Sequence, residues 1–115
     1  MDDIGQQLAG WGKVLRLQTR GRKSGRRLEV ALGYVDEPDG SLLVAAGDPA
    51  ADWARNLDAD PGCRVVVGDA TWPEAVADRL EGADAQRAVR ELILRYGTPA
   101  ERLGRGPAYR LRRVV

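Results

Sequence analysis

The chain has 115 residues, 43% of them apolar and 30% charged, which suits one globular domain over residues 1–115 with a single core. It has no histidine and one cysteine, Cys63, which excludes an internal disulfide and a structural metal site and fits a reducing, cytoplasmic setting. The net charge of +1 is unevenly placed: residues 1–27 carry seven Lys/Arg against two Asp, and the remainder carries eleven Arg against fifteen Asp/Glu, so a local anion site is indicated and a broadly basic surface is not.

Ile4, Leu8 and Trp11 recur at i, i+4, i+7, which predicts a short amphipathic helix over residues 3–11, stopped by Gly12. This start lacks the basic and apolar regions of a secretory signal, and nowhere is there a run of roughly 20 apolar residues that would make a transmembrane segment. Residues 13–19 read as a first strand and residues 27–35 as a second, with Leu28, Val30, Leu32 and Tyr34 on one face. Glu37-Pro38-Asp39-Gly40 is a turn. Residues 41–47 then form a strand whose unbroken apolar run predicts burial on both faces.

Asp48-Pro49 pairs a capping acceptor with a proline suited to the first helical position, so a helix is expected to start there. It would carry Trp53, Asn56 and Leu57 on one side and end at Asp60-Pro61-Gly62. Residues 63–67 are a fourth strand, turned at Gly68-Asp69 into a fifth over residues 70–80. Pro73 in that fifth strand argues for an edge or a bulge. Asp84 to Tyr96 is the clearest helix: Ala85, Ala88, Val89, Leu92, Ile93 and Tyr96 make its apolar stripe, and Gly97 and Pro99 end it. Residues 108–115 alternate as a last strand, with Arg110, Arg112 and Arg113 read as solvated. The expectation is a mainly β (α+β) protein: a six-stranded antiparallel split β-barrel, closed or partly closed, with two or three flanking helices.

The stretch Thr19-Arg20-Gly21-Arg22-Lys23-Ser24-Gly25-Arg26-Arg27 stands apart. Two glycines bracket two cations and a hydroxyl, a pattern that can turn backbone N–H groups and charges onto one phosphate or a group of carboxylates. Nothing else in the chain looks reactive, so any catalysis points to a bound cofactor. Ala45-Ala46-Gly47 would let a flat ring lie close to the backbone. The following helix adds Trp53 for apolar contact and Asn56 for paired donor and acceptor contacts.

The same pieces resemble the deazaflavin-dependent nitroreductase family of split β-barrel oxidoreductases. The likeness rests on the Thr19–Gly25 stretch, on Val44-Ala45-Ala46, and on Trp53-Ala54-Arg55-Asn56-Leu57 with Ala59-Asp60-Pro61, in matching order and spacing from about residue 13 to residue 80. It implies coenzyme F420, a 5-deazaflavin with a phosphate and an oligoglutamate tail, as cofactor, and hydride transfer from its reduced form to a quinone, an enone or a nitro compound. It further implies that Arg22, Lys23, Ser24, Gly25 and Arg26 hold the phosphate, and that Ala45, Ala46, Trp53 and Asn56 lie by the ring. The chain departs from the family where Arg27, Leu28 and Ala31 replace a Pro-Arg pair and a later proline, and where Gly47 replaces a hydroxyl found in some members. Of the tyrosines that certain members carry around the last helix, only Tyr96 stands here.

Other readings share the same residues. The basic loop alone is also what a solvated hairpin connection looks like. Trp53 and Tyr96 suit a core, and Tyr96 is also the one candidate proton donor. A nucleic-acid module is disfavoured, because six aromatics with no Phe do not interleave with the basic run. A non-catalytic flavin or deazaflavin carrier, with FMN as the alternative cofactor, stays open, while haem suits a chain without histidine poorly. Monomer and homodimer are equally compatible with the sequence.

Overall fold

The computed structural model describes residues 14–97 and 103–114. The helix expected over residues 3–11 lies outside the described residues. In chain order the elements are β1 (Val14–Arg20), β2 (Arg27–Gly33), β3 (Val35–Asp36), β4 (Leu42–Ala45), α1 (Asp52–Ala59), β5 (Gly62–Val67), β6 (Ala70–Arg79), α2 (Gly82–Tyr96) and β7 (Ala108–Arg113). All neighbouring strands pair antiparallel, in the order β2-β1-β5-β6-β7-β4-β3.

Seven strands replace the six expected, because the strand predicted over residues 27–35 breaks at Tyr34. The Tyr34 N–H and C=O are each 3.0 Å from the Tyr96 hydroxyl, which takes the place of a neighbouring strand. β2 and β3 lie at opposite edges of the sheet, yet Tyr34 alone separates them. Six strand spacings of about 4.8 Å would hold the edges of a flat sheet about 29 Å apart, whereas two Cα steps cover at most about 7.6 Å. The sheet therefore curls into a half-barrel. Chain continuity joins its edges, with no β2–β3 ladder between them, so the closed six-stranded barrel is corrected to a curled seven-stranded sheet.

Each face of the sheet carries its own apolar cluster. On the first, Leu15, Leu17, Leu42, Val44, Val65, Trp72, Tyr109 and Leu111 meet Trp53, Ala54 and Leu57 of α1. On the second, Leu43, Ala45, Leu80 and Ala108 meet Ala88, Leu92 and Tyr96 of α2. Every residue of β4 is buried, as its unbroken apolar run predicts, because successive side chains enter opposite clusters. In β6, Pro73 and Glu74 lie opposite Arg64 alone, since Trp72 pairs with Val65 and Ala75 with Cys63. That is the bulge anticipated at Pro73, and it switches the inward face from Trp72 to Ala75 and Ala77.

Three local expectations need correction. Asp48 does not start a helix: its carboxylate accepts the Ala50 N–H at 2.8 Å and its carbonyl the Ala51 N–H, which makes a separate turn, and α1 begins at Asp52. Leu28 is 47% exposed, because the outer end of β2 runs past the core. Arg110 is half-buried beside Glu37 and Arg112 pairs with Asp78, so of the three strand arginines only Arg113 is simply solvated.

Candidate functional site

The connection between β1 and β2 is an ordered turn. Gly21 N–H donates to Arg26 C=O at 2.7 Å and Gly25 N–H to Gly21 C=O at 2.8 Å, while Arg26 N–H donates to Ser24 Oγ at 3.2 Å. Gly25 has φ +74°, a left-handed conformation that other residues adopt only under strain. Arg22 N–H donates to Asn56 Oδ1 of α1 at 3.1 Å. Among the described residues, that leaves the backbone N–H groups of Lys23 and Ser24, side by side and exposed, with no partner in the protein.

The cations divide in the same way. The Arg22 guanidinium folds onto α1, donating to Asn56 Oδ1 at 2.8 Å and pairing with Asp52 at 3.1 Å. Lys23, Arg26, Arg20 and Arg27 are exposed and have no carboxylate within ion-pair range among the described residues. Arg20 and Arg27 stand directly opposite each other in the β1–β2 ladder, a like-charge pairing that costs stability unless an anion meets it. The turn therefore presents two free N–H groups among several unneutralised cations, an arrangement suited to a phosphate.

The other predicted residues are more deeply placed. Asn56 is 1% exposed and donates to Thr19 Oγ1 at 3.1 Å. Trp53 lies in the first cluster with its ring 5.7 Å from that of Tyr109. The Tyr109 hydroxyl in turn donates to the Ala54 carbonyl or the Asp58 carboxylate, at 3.1 and 2.8 Å. Ala45 and Ala46 are buried in opposite clusters. The close approach that their small side chains permit is made here by the chain itself. A Cβ on Gly106 would lie 2.6 Å from the Ala46 carbonyl oxygen, and Ala46 N–H donates to Pro107 C=O. Sequence reasoning missed Thr19 and Asp52 as partners of the turn. A hydroxyl in the inward register of β1, on a strand otherwise lined by leucines, was the available signal for Thr19.

A model of the F420H(2)-dependent quinone reductase family matches residues 2–103. The chain belongs to that family. It is an F420H2-dependent oxidoreductase acting on small acceptor molecules, with coenzyme F420 as its cofactor. Among solved structures it is similar to an F420-H2 dependent reductase, FDR-A, at 28% identity over 85% of this chain and 92% of that one, with a TM-score of 0.73. A structure described as a domain-swapped dimer matches at 28% identity over 85% and 78%, TM-score 0.72. HutZ, the heme storage protein from Vibrio cholerae, matches at 20% identity over 96% and 87%, TM-score 0.74, which shows a shared fold alone. No curated protein sequence matches the chain. Among the described residues there is no metal-ligating cluster, and no helix is long and apolar enough to cross a membrane.

Two further residues of the reductase carry reactive groups, and both are tucked away. Cys63 is buried, and burial pushes its thiol up to about 11, so it stays protonated at neutral pH and is a poor nucleophile. Tyr96 is 3% exposed in the second cluster, on α2, while the turn is anchored to α1; burial raises its hydroxyl above the usual range. That hydroxyl donates to Tyr34 C=O and accepts from Tyr34 N–H, clamping the break between β2 and β3. Tyr96→Phe is expected to lower stability by about 1–3 kcal/mol, the cost of leaving a buried polar group unsatisfied. It should leave kcat with F420H2 unchanged at a temperature where both proteins are folded. A large fall in kcat with unchanged thermal unfolding would assign Tyr96 the role of proton donor.

Proposed function

We propose that the Gly21–Gly25 turn holds the phosphate of F420 and that the protein directs hydride from F420H2 to an electron-poor quinone, enone or nitro compound. The observation that carries this is the pair of N–H groups at Lys23 and Ser24 that lack a partner among the described residues, flanked there by cations with no carboxylate in ion-pair range, on a turn held by its own hydrogen bonds. The donor set fits the group: an oxyanion accepts hydrogen bonds, and the turn offers two backbone N–H groups, the Ser24 hydroxyl and the Lys23 and Arg26 side chains.

In this reading Lys23, Ser24, Gly25 and Arg26 meet the phosphate. Arg22 braces the turn, and Arg20 and Arg27 extend positive charge along the strand ends. Trp53 sits on α1, the helix that anchors the turn, Ala45 ends β4 and Ala46 follows it; all three are buried, so the ring is assigned to the surface that this segment backs rather than to contact with their side chains. When bound, F420H2 would supply the hydride and, on its own oxidation, the proton that completes the reduction of the acceptor. The chain binds, orients and excludes water, and none of its own side chains undergoes a chemical change. A homodimer belongs to the same proposal. It is supported by the domain-swapped dimer among similar structures.

Fluorescence titration should give tighter binding of F420 than of FMN, because FMN brings a phosphate but no acidic tail for Arg20, Arg26 and Arg27. Equal or reversed affinities would count against the assignment. Loss of F420H2 absorbance in the presence of quinones, enones and nitroaromatics identifies the acceptor class.

A further inference from the structure

We infer that Asn56 sets the affinity for F420 as a positioning residue, holding the turn through Arg22 without touching the cofactor. This rests on the reading that the Gly21–Gly25 turn receives the phosphate. A carboxamide oxygen has two lone pairs, and on Asn56 both are engaged, by Arg22 N–H at 3.1 Å and by the Arg22 guanidinium at 2.8 Å. The amide nitrogen donates to Thr19 Oγ1 at 3.1 Å, and Thr19 and Asn56 are each 1% exposed. Asn56 therefore has no acceptor capacity left, and at 1% exposed it has almost no surface through which its second amide hydrogen could reach an anion.

Its contacts act on the turn instead. The bond to Arg22 N–H fixes the Gly21–Arg22 peptide, one before the peptide that carries Lys23 N–H, and the second bond holds the Arg22 side chain; together they set how Lys23 and Ser24 are presented. Asn56 also ties β1, through Thr19, and the turn to α1 at one buried point. The Arg22–Asp52 pair cannot substitute for it, because the Asp52 side chain is 78% exposed and such pairs contribute little. Without the Asn56 oxygen the turn keeps its Gly21–Arg26 and Gly25–Gly21 bonds, but among the described residues its hydrogen bonds and ion pairs to α1 are then only the exposed Arg22 contacts to Asp52, the ion pair and a 3.4 Å bond to the Asp52 carbonyl.

The test is a double-mutant cycle of Asn56→Ala and Lys23→Ala. F420 affinity is read by fluorescence, folding by thermal unfolding, and turnover as kcat and KM for F420H2. Each single variant is expected to weaken F420 binding about fivefold or more. The Asn56→Ala effect should shrink at least threefold when the Lys23 ammonium is already absent, because Asn56 places that side chain together with the two N–H groups, and only the share carried by the N–H groups survives the substitution. KM should carry the change, with kcat at saturating F420H2 staying within about twofold.

Fully additive effects would overturn the inference while leaving the turn as the phosphate seat. Unchanged affinity in Lys23→Ala would overturn the seat itself. Thr19→Val serves if Asn56→Ala does not fold, since it leaves Asn56 in place but removes the acceptor for its amide. It should weaken F420 binding in the same direction, whereas a folded Thr19→Val protein with unchanged affinity would sink the inference.

Discussion

Lys23→Ala weakens F420 binding by about 1–3 kcal/mol, the range for losing one charge-assisted hydrogen bond. Stability should move by no more than about 0.5 kcal/mol, because the lysine is exposed and has no protein partner among the described residues. The lysine backbone N–H survives the substitution, as do Ser24 and Arg26, so binding is reduced and not abolished. The loss should narrow as salt rises, since the Debye length falls from about 10 Å at 0.1 M to about 3 Å at 1 M and an exposed ammonium is then screened. Titrations at both ionic strengths check this. An unchanged dissociation constant at low salt removes the turn from the site. A loss accompanied by an equal fall in stability would assign Lys23 to the fold.

Leu111→Ala lowers stability by about 2–5 kcal/mol, through lost burial and the cavity left behind. Leu111 is fully buried on β7, between Ala77 of β6 and Leu42 of β4 in the ladder, and all three belong to the first cluster. Strands bonded on both sides cannot close readily around a void, which favours the upper part of that range. A domain of this size is stable by about 5–15 kcal/mol in total, so the midpoint of thermal unfolding should fall on the order of 10 °C. Leu94→Ala is the control: Leu94 is 75% exposed, and its removal should cost under about 0.5 kcal/mol. Equal shifts in the two variants would mean that β7 is not the centre of the core.

The candidate site was legible in parts. The turn stood out because glycines bracketing cations are a local pattern, and the order inside it, from Gly21–Arg26 to the left-handed Gly25, is itself local. The division of labour within it was not visible. Arg22 and Lys23 are adjacent cations in the chain, yet one is bonded to α1 and the other is free. A partner 34 residues away makes that difference. The partners of Asn56 were hidden for the same reason: an amide on a helix gives no sign of what its two ends will meet until β1 and the turn are packed against it.

Elements whose character depends on their own residues could be read directly. The unbroken apolar run of β4, the bulge at Pro73 and the stripe of α2 each follow from side-chain period or from a missing N–H, and each stands as expected. The strand count, the curl of the sheet and the clamp at Tyr34 could not be read in this way. They are set where Tyr34 meets the Tyr96 hydroxyl, 62 residues on, and where two sheet edges are forced together by one intervening residue. Local propensity speaks only for near neighbours; contacts between distant segments exist once the sheet has bent, and those contacts decided which groups on this chain are left free to bind.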